Sequence, residues 1–274
     1  MNFLFIIFSF IFGSLIGSFL NVVILRLPKE QSLGGRSRCA ACGHNLGVWD
    51  LFPVFSYLFL LGKCRYCGRK ISPRYLLIEL ACGILFAWAF YLLNPGPSFS
   101  GALVLLQWLV VIAVCLVTFV VDLERLIILF NVILPAAAFV CVLNLITDIL
   151  AGRPLLSLSS HFVLGLFGAV AGILPFWLLW YASKWWAGEA GKWMGFGDVV
   201  LGLCLGAMLG WPLIGVAMFL GIILGGVVSV FLLAFAGKTI KSQVPFGTFL
   251  SLGAILALFY GEKLLSWYLS ILGF

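Results

Sequence analysis

Long apolar segments alternate along this chain with short polar breaks. The first covers residues 2–25 and begins MNFLFIIFSF. The later apolar segments lie at 74–93, 102–121, 127–150, 160–183, 199–211, 213–236 and 247–272. An α-helix of about 20 apolar residues is long enough to cross the ~30 Å hydrocarbon core of a bilayer. The pattern therefore predicts an all-α, polytopic membrane protein with about eight transmembrane helices.

Two of these segments are ambiguous by position or by length. No Lys or Arg precedes residues 2–25 and no A-x-A site follows them, so we predict a retained helix rather than a signal peptide. Residues 199–211 are short for a full crossing, because a rise of ~1.5 Å per residue covers only about two-thirds of the core. This segment is predicted to be either a half-helix or a helix that starts deeper in the membrane.

Residues 27–73 form the one sizeable polar segment, which is rich in Gly, Cys, Arg and Lys. If both termini lie outside, every Lys and Arg except Arg153 and Lys263 falls in a cytoplasmic segment. This asymmetry follows the positive-inside rule. We therefore predict three parts, namely a first transmembrane helix at 1–26, a cytoplasmic loop at 27–73 and a transmembrane core at 74–274.

Composition excludes several other classes of protein. Apolar residues make up 64% of the chain and charged residues 9%, whereas soluble domains have about 45–50% and about 25% respectively. A soluble globule of this size has no room to bury so much apolar surface, and a disordered chain would be more polar. The net charge of +7 lies largely in the polar segment beside the apolar helices. We therefore assign this charge to membrane topology and predict no nucleic-acid partner.

Four cysteines in the polar segment form two C-x-x-C pairs, Cys39 with Cys42 and Cys64 with Cys67. This spacing is typical of a tetrathiolate zinc site, and a Gly follows each pair where the chain turns around the metal. A short loop with few core residues also gains folding energy from a metal. The predicted cytoplasmic location disfavours disulfides. We predict structural zinc, with a redox pair or an iron–sulfur cluster as alternatives.

Two aspartates lie at predicted cytoplasmic helix ends. Asp122 follows the apolar run LVTFVV directly, and Asp198 ends M-G-F-G-D before the run VVLGLCLGAML. A carboxylate at membrane depth is expensive and needs an explanation. Two carboxyl groups within a few ångströms share a proton, so the charged one can deprotonate water while the protonated one polarises a peptide carbonyl. The structural alternatives are a helix N-cap for Asp198 and an interfacial position for Asp122.

Other functions are compatible with the same residues. A proton- or cation-coupled transporter could use Asp122 and Asp198 as relay groups, although transporters place such acids near the midplane, often within repeats. A non-enzymatic scaffold could recruit partners through the cysteine loop. Of the remaining acids, Glu79 either reaches the cytoplasmic side or lines a cavity, and Asp148 is predicted to be interfacial.

Several motifs, taken together, resemble those of the bifunctional type IV prepilin peptidases, which are aspartic proteases of the GxGD type. The resemblance covers residues 12–255, which is most of the chain. The motifs are GSFLNVVILRLP from Gly17, the paired C-x-x-C loop, the segment 49–80, VDLE at 121–124, MGFGDVVLG at 194–202 and VPFGTFLSLGA at 244–254. No single motif is specific, but their combination is.

The resemblance implies that Asp122 and Asp198 form a catalytic pair. It also implies cleavage of a short basic leader from prepilins or type II secretion pseudopilins at the cytoplasmic face of the bacterial inner membrane. Many family members then methylate the new N-terminal residue with S-adenosylmethionine, and those with both activities usually carry the four-cysteine loop present here. The methyl-donor site stays unassigned, with the polar residues of 27–80 as the only candidates.

The chain departs from the family pattern at three places. Where the family has Pro after the first aspartate, this sequence has Phe130. Lys192 replaces a frequent Glu before the MGxGD motif, and Val200 replaces a frequent Lys after it. These departures concern substrate preference and local geometry, because both aspartates are present.

Overall fold

The computed structural model describes residues 2–187, 195–235 and 245–273. Three positions named above, Lys192, Met194 and Val244, lie outside these ranges, as do Lys238 and Lys241 of a predicted cytoplasmic segment. The helices are α1 (Asn2–Arg26), α2 (Phe55–Phe59), α3 (Arg74–Leu93), α4 (Phe99–Arg125), α5 (Phe130–Leu150), α6 (His161–Ala187), α7 (Phe196–Leu209), α8 (Leu213–Phe235) and α9 (Phe246–Ile271). The described ranges contain no extended strand, which confirms the all-α prediction.

Seven helices in the described part of the chain are long and apolar enough to cross a membrane. They are α1, α3, α4, α5, α6, α8 and α9. The eighth apolar helix, α7, has 14 residues, which corresponds to ~21 Å and is shorter than the ~30 Å core. The chain is therefore a multi-pass membrane protein, and its short helix lies where the sequence analysis found the short segment 199–211.

The chain divides into two compact units, Met1–Pro95 (unit 1) and Gly96–Phe274 (unit 2). In unit 1, α1 lies along α3 in close backbone contact. A Cβ atom added to Gly17 would lie 2.8 Å from the Cα atom of Glu79, so a larger residue would push the two helices apart. The polar segment between α1 and α3 contains α2 and two short 3₁₀ turns.

In unit 2, α7 contacts every other helix of the unit. Its residues Leu201 and Leu205 are fully buried. The approach of α6 to α7 depends on small residues, because a Cβ atom added to Gly172 would collide with the carbonyl oxygen of Gly202. Protein rather than lipid surrounds most of α7, so this helix can be buried without being long enough to cross a bilayer.

Asp148, predicted to be interfacial, lies near the end of α5, where the surrounding protein covers it so that 0% of the residue is exposed. Its carboxylate accepts a hydrogen bond from Ser160 Oγ at 2.7 Å and from the backbone N–H groups of His161 and Phe162 at 3.1 and 2.9 Å. The first N–H groups of a helix have no partner within that helix. Asp148 is therefore buried because it caps the start of α6.

Candidate active site and metal centre

Asp122 lies in the last turn of α4 and is only 5% exposed. Its Oδ2 atom accepts hydrogen bonds from the backbone N–H of Thr248 at 2.7 Å and from Thr248 Oγ1 at 3.1 Å. The backbone N–H of Gly247 also donates to this carboxylate. Gly247 and Thr248 belong to the first turn of α9, where N–H groups have no partner within the helix. The carboxylate therefore accepts hydrogen bonds from free N–H groups at the start of α9. These bonds compensate for the unfavourable interaction of a negative charge with the C-terminal end of the α4 dipole.

Asp198 is the third residue of α7 and not its N-cap, because the cap position belongs to Gly195. The alternative in which Asp198 is the N-cap of α7 is therefore wrong. The Asp198 carboxylate nevertheless accepts a hydrogen bond from the backbone N–H of Gly195, and the backbone N–H of Asp198 donates to the Gly195 carbonyl at 3.2 Å. A negative charge in the first turn also interacts favourably with the helix dipole.

The fold brings Asp122 and Asp198 together, although α5 and α6 separate them along the chain. The two carboxyl groups interact electrostatically. The side chain of Ile128, in the loop after α4, lies between the start of α7, which carries Asp198, and the start of α9, which holds Asp122. A Cβ atom added to Gly197 would lie 3.0 Å from Ile128 Cγ1, and one added to Gly247 would lie 2.9 Å from Ile128 Cδ1. Both carboxyl groups therefore belong to one site within unit 2.

Three residues of this site have no individual role in the sequence analysis. Thr248 and Gly247 hold Asp122, and Ile128 packs against both helix starts. The motif VPFGTFLSLGA contains the first two, but their contact with Asp122 spans more than a hundred residues of sequence. The available signal was a Pro-Phe-Gly-Thr sequence at the start of an apolar segment, which marks a helix N-terminus but not its partner.

This arrangement is suited to acid–base chemistry on a carbonyl group. Hydrogen bonds from N–H and O–H donors favour the ionised form of a carboxyl group, and Asp122 receives such bonds from Thr248 and Gly247. A second carboxyl group close to a charged one tends to keep its proton. The pair can therefore present one proton acceptor and one proton donor at the same time.

The four cysteines of the polar segment come together in unit 1. The sulfur atoms of Cys39, Cys42, Cys64 and Cys67 all lie within 4.8 Å of one another, and those of Cys39 and Cys67 are 3.9 Å apart. A tetrahedral zinc ion with Zn–S bonds of ~2.3 Å would separate its sulfur ligands by about 3.8 Å. The donor set and its spacing therefore fit a metal of this kind.

The backbone repeats the same turn at both cysteine pairs. Cys39 N donates to the His44 carbonyl at 2.9 Å, and Cys64 N donates to the Arg69 carbonyl at 2.8 Å. Each turn closes through a glycine with a positive φ angle, Gly43 at 72° and Gly68 at 69°. This conformation is costly for residues with a side chain, which explains why a Gly follows each pair.

Neighbouring groups shift the pKa values of two of the four thiols in opposite directions. Backbone N–H groups of Cys42 and Ala41 lower the pKa of Cys39 to about 6. The Arg69 N–H also acts to lower the pKa of Cys67, but desolvation and the three neighbouring sulfur atoms raise it to about 11. Thiols this close together cannot all ionise unless a positive charge joins them. A metal ion bound to the four sulfur atoms would supply that charge.

Polar contacts hold the rest of this loop. Asp50 forms an ion pair with Arg65 at 2.8 Å and accepts a hydrogen bond from the Tyr66 hydroxyl at 3.1 Å. The Tyr66 ring also packs on the ring of His44, with 3.7 Å between the ring centres. Since Arg65 and Tyr66 lie inside the second cysteine pair and His44 follows the first, these contacts join the two turns.

Comparison with known families gives matches over most of the chain. Residues 11–93 match the family model described as bacterial peptidase A24 N-terminal domain. Residues 109–230 match the type IV leader peptidase family. The second match contains both Asp122 and Asp198, and the first contains the four cysteines. No solved structure matches the chain significantly.

Several curated proteins are similar over nearly their full length, and each is named prepilin leader peptidase/N-methyltransferase. The protein from Aeromonas salmonicida is 32% identical over 95% of this chain and 92% of its own. That from Pseudomonas aeruginosa is 31% identical over 98% of this chain and 95% of its own. That from Burkholderia pseudomallei is 32% identical over 93% of this chain and 85% of its own.

Proposed function

The chain belongs to the type IV leader peptidase family, and from this premise we propose that it removes the leader peptide from type IV prepilins, type II secretion pseudopilins or both. The single observation that supports this function best is that Asp122, held by the start of α9, and Asp198, at the start of α7, flank Ile128 inside unit 2. Relatives that match nearly the whole chain carry the name peptidase/N-methyltransferase. We therefore include methylation of the new N-terminal residue in the proposal.

In the proposed hydrolysis, the two aspartates have different roles. Asp122, held by Thr248 and Gly247, accepts a proton from water as the water oxygen attacks the scissile carbonyl carbon. Asp198 donates a hydrogen bond to the carbonyl oxygen and stabilises the tetrahedral intermediate. The carbon–nitrogen bond then breaks, and the proton held by Asp122 passes to the leaving nitrogen. The products are a free leader carboxylate and the amino terminus of the mature pilin.

We propose that cleavage occurs at the cytoplasmic face of the inner membrane. Arg125 ends α4 one turn after Asp122, and basic residues mark the cytoplasmic ends of transmembrane helices. The apolar N-terminal helix of a pilin would lie in the bilayer beside the enzyme, with its basic leader on the cytoplasmic side. Because both partners are then held at one depth, the membrane contributes to positioning the scissile bond.

For the cysteine loop we propose structural zinc bound by Cys39, Cys42, Cys64 and Cys67. The spacing of the sulfur atoms and the repeated backbone turns support this assignment. Four thiolates complete a tetrahedral shell and leave no open position for a substrate. The metal would therefore stabilise the 27–73 loop instead of taking part in hydrolysis.

For methylation we propose S-adenosylmethionine as the donor. When bound, it supplies an electrophilic methyl group for the α-amino nitrogen of the mature pilin. The transporter alternative has no support, because the matched families and the curated relatives are all peptidases. Both aspartates also lie at helix ends and not at the middle of a broken helix.

Cleavage of a purified prepilin by the wild type, Asp122→Asn and Asp198→Asn tests the peptidase proposal. Each Asn keeps the shape of the side chain and removes its acid, so we expect both variants to lose activity by on the order of 10²–10⁴-fold. Glu262→Gln is a matched control, because Glu262 is an exposed acid on α9. Cleavage at the wild-type rate by both aspartate variants would reject the proposed mechanism.

A further inference from the structure

Unit 1 contains a cavity of about 650 Å³ between α1, the start of α3 and the cysteine loop. All of its lining residues lie between Ser18 and Glu79 and belong to unit 1, whereas both members of the carboxyl pair belong to unit 2. Small-molecule sites in proteins usually have volumes of about 300–1,000 Å³. The proposed hydrolysis leaves this cavity without a role.

Glu79 lines the cavity and is only 8% exposed. Of the two alternatives for Glu79, the structure therefore favours the one in which it lines a cavity. Its Oε2 atom accepts a hydrogen bond from the backbone N–H of Val54 at 2.8 Å, and Ser18 also donates to it. These bonds need an acceptor but not a charge. No Lys or Arg of the described residues forms an ion pair with Glu79, whereas buried charges in proteins are normally paired.

Asn21, on α1, contributes an unsatisfied polar atom to the lining of the same cavity. Its side chain is 3% exposed, and its Nδ2 atom donates to the Tyr75 carbonyl at 3.1 Å. Its Oδ1 atom has no hydrogen-bond partner within the described residues. Buried polar atoms are almost always hydrogen-bonded in folded proteins. A ligand with an N–H or O–H group would satisfy this oxygen.

The cavity also has an exposed basic side. Arg38, Arg69 and Lys70 line it from the cysteine loop and are all exposed. The cavity therefore combines a buried acid on α3, a buried acceptor on α1 and cations that face solvent. This charge distribution suits a ligand that has both a positive and a negative group.

We propose that this cavity binds S-adenosylmethionine, an inference that rests on the methyltransferase part of the proposed function. This molecule carries a positive sulfonium and a positive ammonium group, a negative carboxylate, and hydroxyl and amino donors on its nucleoside. Glu79 offsets the positive charge, the loop cations attract the carboxylate, and Asn21 Oδ1 accepts from a donor. The position of the cavity also gives the cysteine loop a function, because the loop forms one of its walls.

Calorimetric titration of the zinc-loaded full chain in detergent with S-adenosylmethionine tests this assignment. We expect Glu79→Gln to weaken binding at least tenfold, although Gln can still accept the hydrogen bond from Val54. Asn21→Ala should weaken binding by a smaller factor. Glu30→Gln, a change at an exposed acid of the same unit outside the cavity, should bind as the wild type does. Zinc content measured on each variant shows whether unit 1 has folded.

Photolabelling of the unaltered protein with 8-azido-S-adenosylmethionine avoids the risk of misfolded variants. We expect the label on peptides from 18–26, 37–46 or 71–79. Labelling confined to unit 2, or unchanged affinity in both cavity variants, would overturn the assignment while leaving the methyltransferase proposal intact. A wild type that binds no donor and transfers no methyl group would overturn both. A co-purified phospholipid in the cavity that the donor does not displace would identify a lipid site instead.

Discussion

The cysteine cluster of unit 1 and the carboxyl pair of unit 2 hold their ionisable groups by different means. The cysteine cluster of unit 1 is local, because its ligands lie within about thirty residues and polar contacts such as Asp50 with Arg65 fix the loop. The carboxyl pair of unit 2 is assembled from the end of α4 and the start of α7, with the start of α9 as support. The cluster therefore depends on ligand spacing within one loop and, in our proposal, on a metal, whereas the carboxyl pair depends on helix packing.

The buried carboxylates of this protein are satisfied without a metal. Asp122 and Asp148 both accept hydrogen bonds from the first turn of a later helix, α9 and α6 respectively. Those N–H groups lack partners within their own helices, so each carboxylate satisfies donors that would otherwise need water. The cysteines instead require a cation, because sulfur ligands this close repel one another when ionised.

The largest expected effect is the loss of zinc from the cysteine cluster. Cys39→Ser should abolish stoichiometric zinc binding, because three thiolates and a hydroxyl form a weaker ligand set. Metal analysis of the purified protein measures this loss. Cys141→Ser is the matched control, since Cys141 lies on α5 of unit 2 and is not one of the four clustered cysteines, and it should retain one equivalent of zinc. A full equivalent in Cys39→Ser would contradict tetrathiolate binding.

A smaller but still large effect is expected where α9 meets Asp122. A Cβ atom at Gly247 would lie 3.0 Å from Asp122 Oδ2 and 2.9 Å from Ile128 Cδ1. Gly247→Ala should therefore displace the carboxylate, and a displacement of about 1 Å can reduce the rate on the order of 10²-fold. The measurement is kcat for prepilin cleavage.

Gly226→Ala on α8 is the control for this change, because a Cβ atom there meets nothing within 4 Å. It should cleave at the wild-type rate. Zinc content should stay the same in both glycine variants, since the cluster belongs to unit 1. Equal activity of the two variants would show that the contact between α9 and Asp122 does not position the acid.

The smallest expected effect concerns one hydroxyl group. Thr248→Val removes the 3.1 Å hydrogen bond to Asp122 but keeps the backbone N–H and the side-chain shape. A hydrogen bond to a charged group contributes about 1.5–3 kcal/mol, which corresponds to a decrease of at least about tenfold in kcat. KM should change little, because Thr248 positions Asp122 and does not itself bind the pilin in the proposed mechanism.

Thr248→Ser provides the rescue, since it restores the hydroxyl group. We expect its kcat to lie close to that of the wild type. A kcat in Thr248→Ser as low as that in Thr248→Val would indicate that the lost methyl packing, and not the hydrogen bond, supports Asp122.

Some features of the two sites could be predicted from the sequence, and others could not. The cysteine pairs and the glycines after them could be recognised because ligand spacing within a short loop is a local property. Helix bounds could also be predicted, since α3 begins and ends where its apolar segment does. The burial of Asp148 was not, because its donors come from the start of the next helix. The contact of Thr248 with Asp122 was hidden for the same reason.

By itself, the sequence determined that this is an all-α membrane protein with a four-cysteine loop and two acids at helix ends. These properties follow from hydropathy, charge and spacing, which act over a few residues to a few turns. Only the tertiary structure decided that Asp122 is held by α9, that α7 is surrounded by protein and that Glu79 lines a cavity. Each of these depends on which helices pack together, and packing joins residues whose distance along the chain carries no signal of their contact.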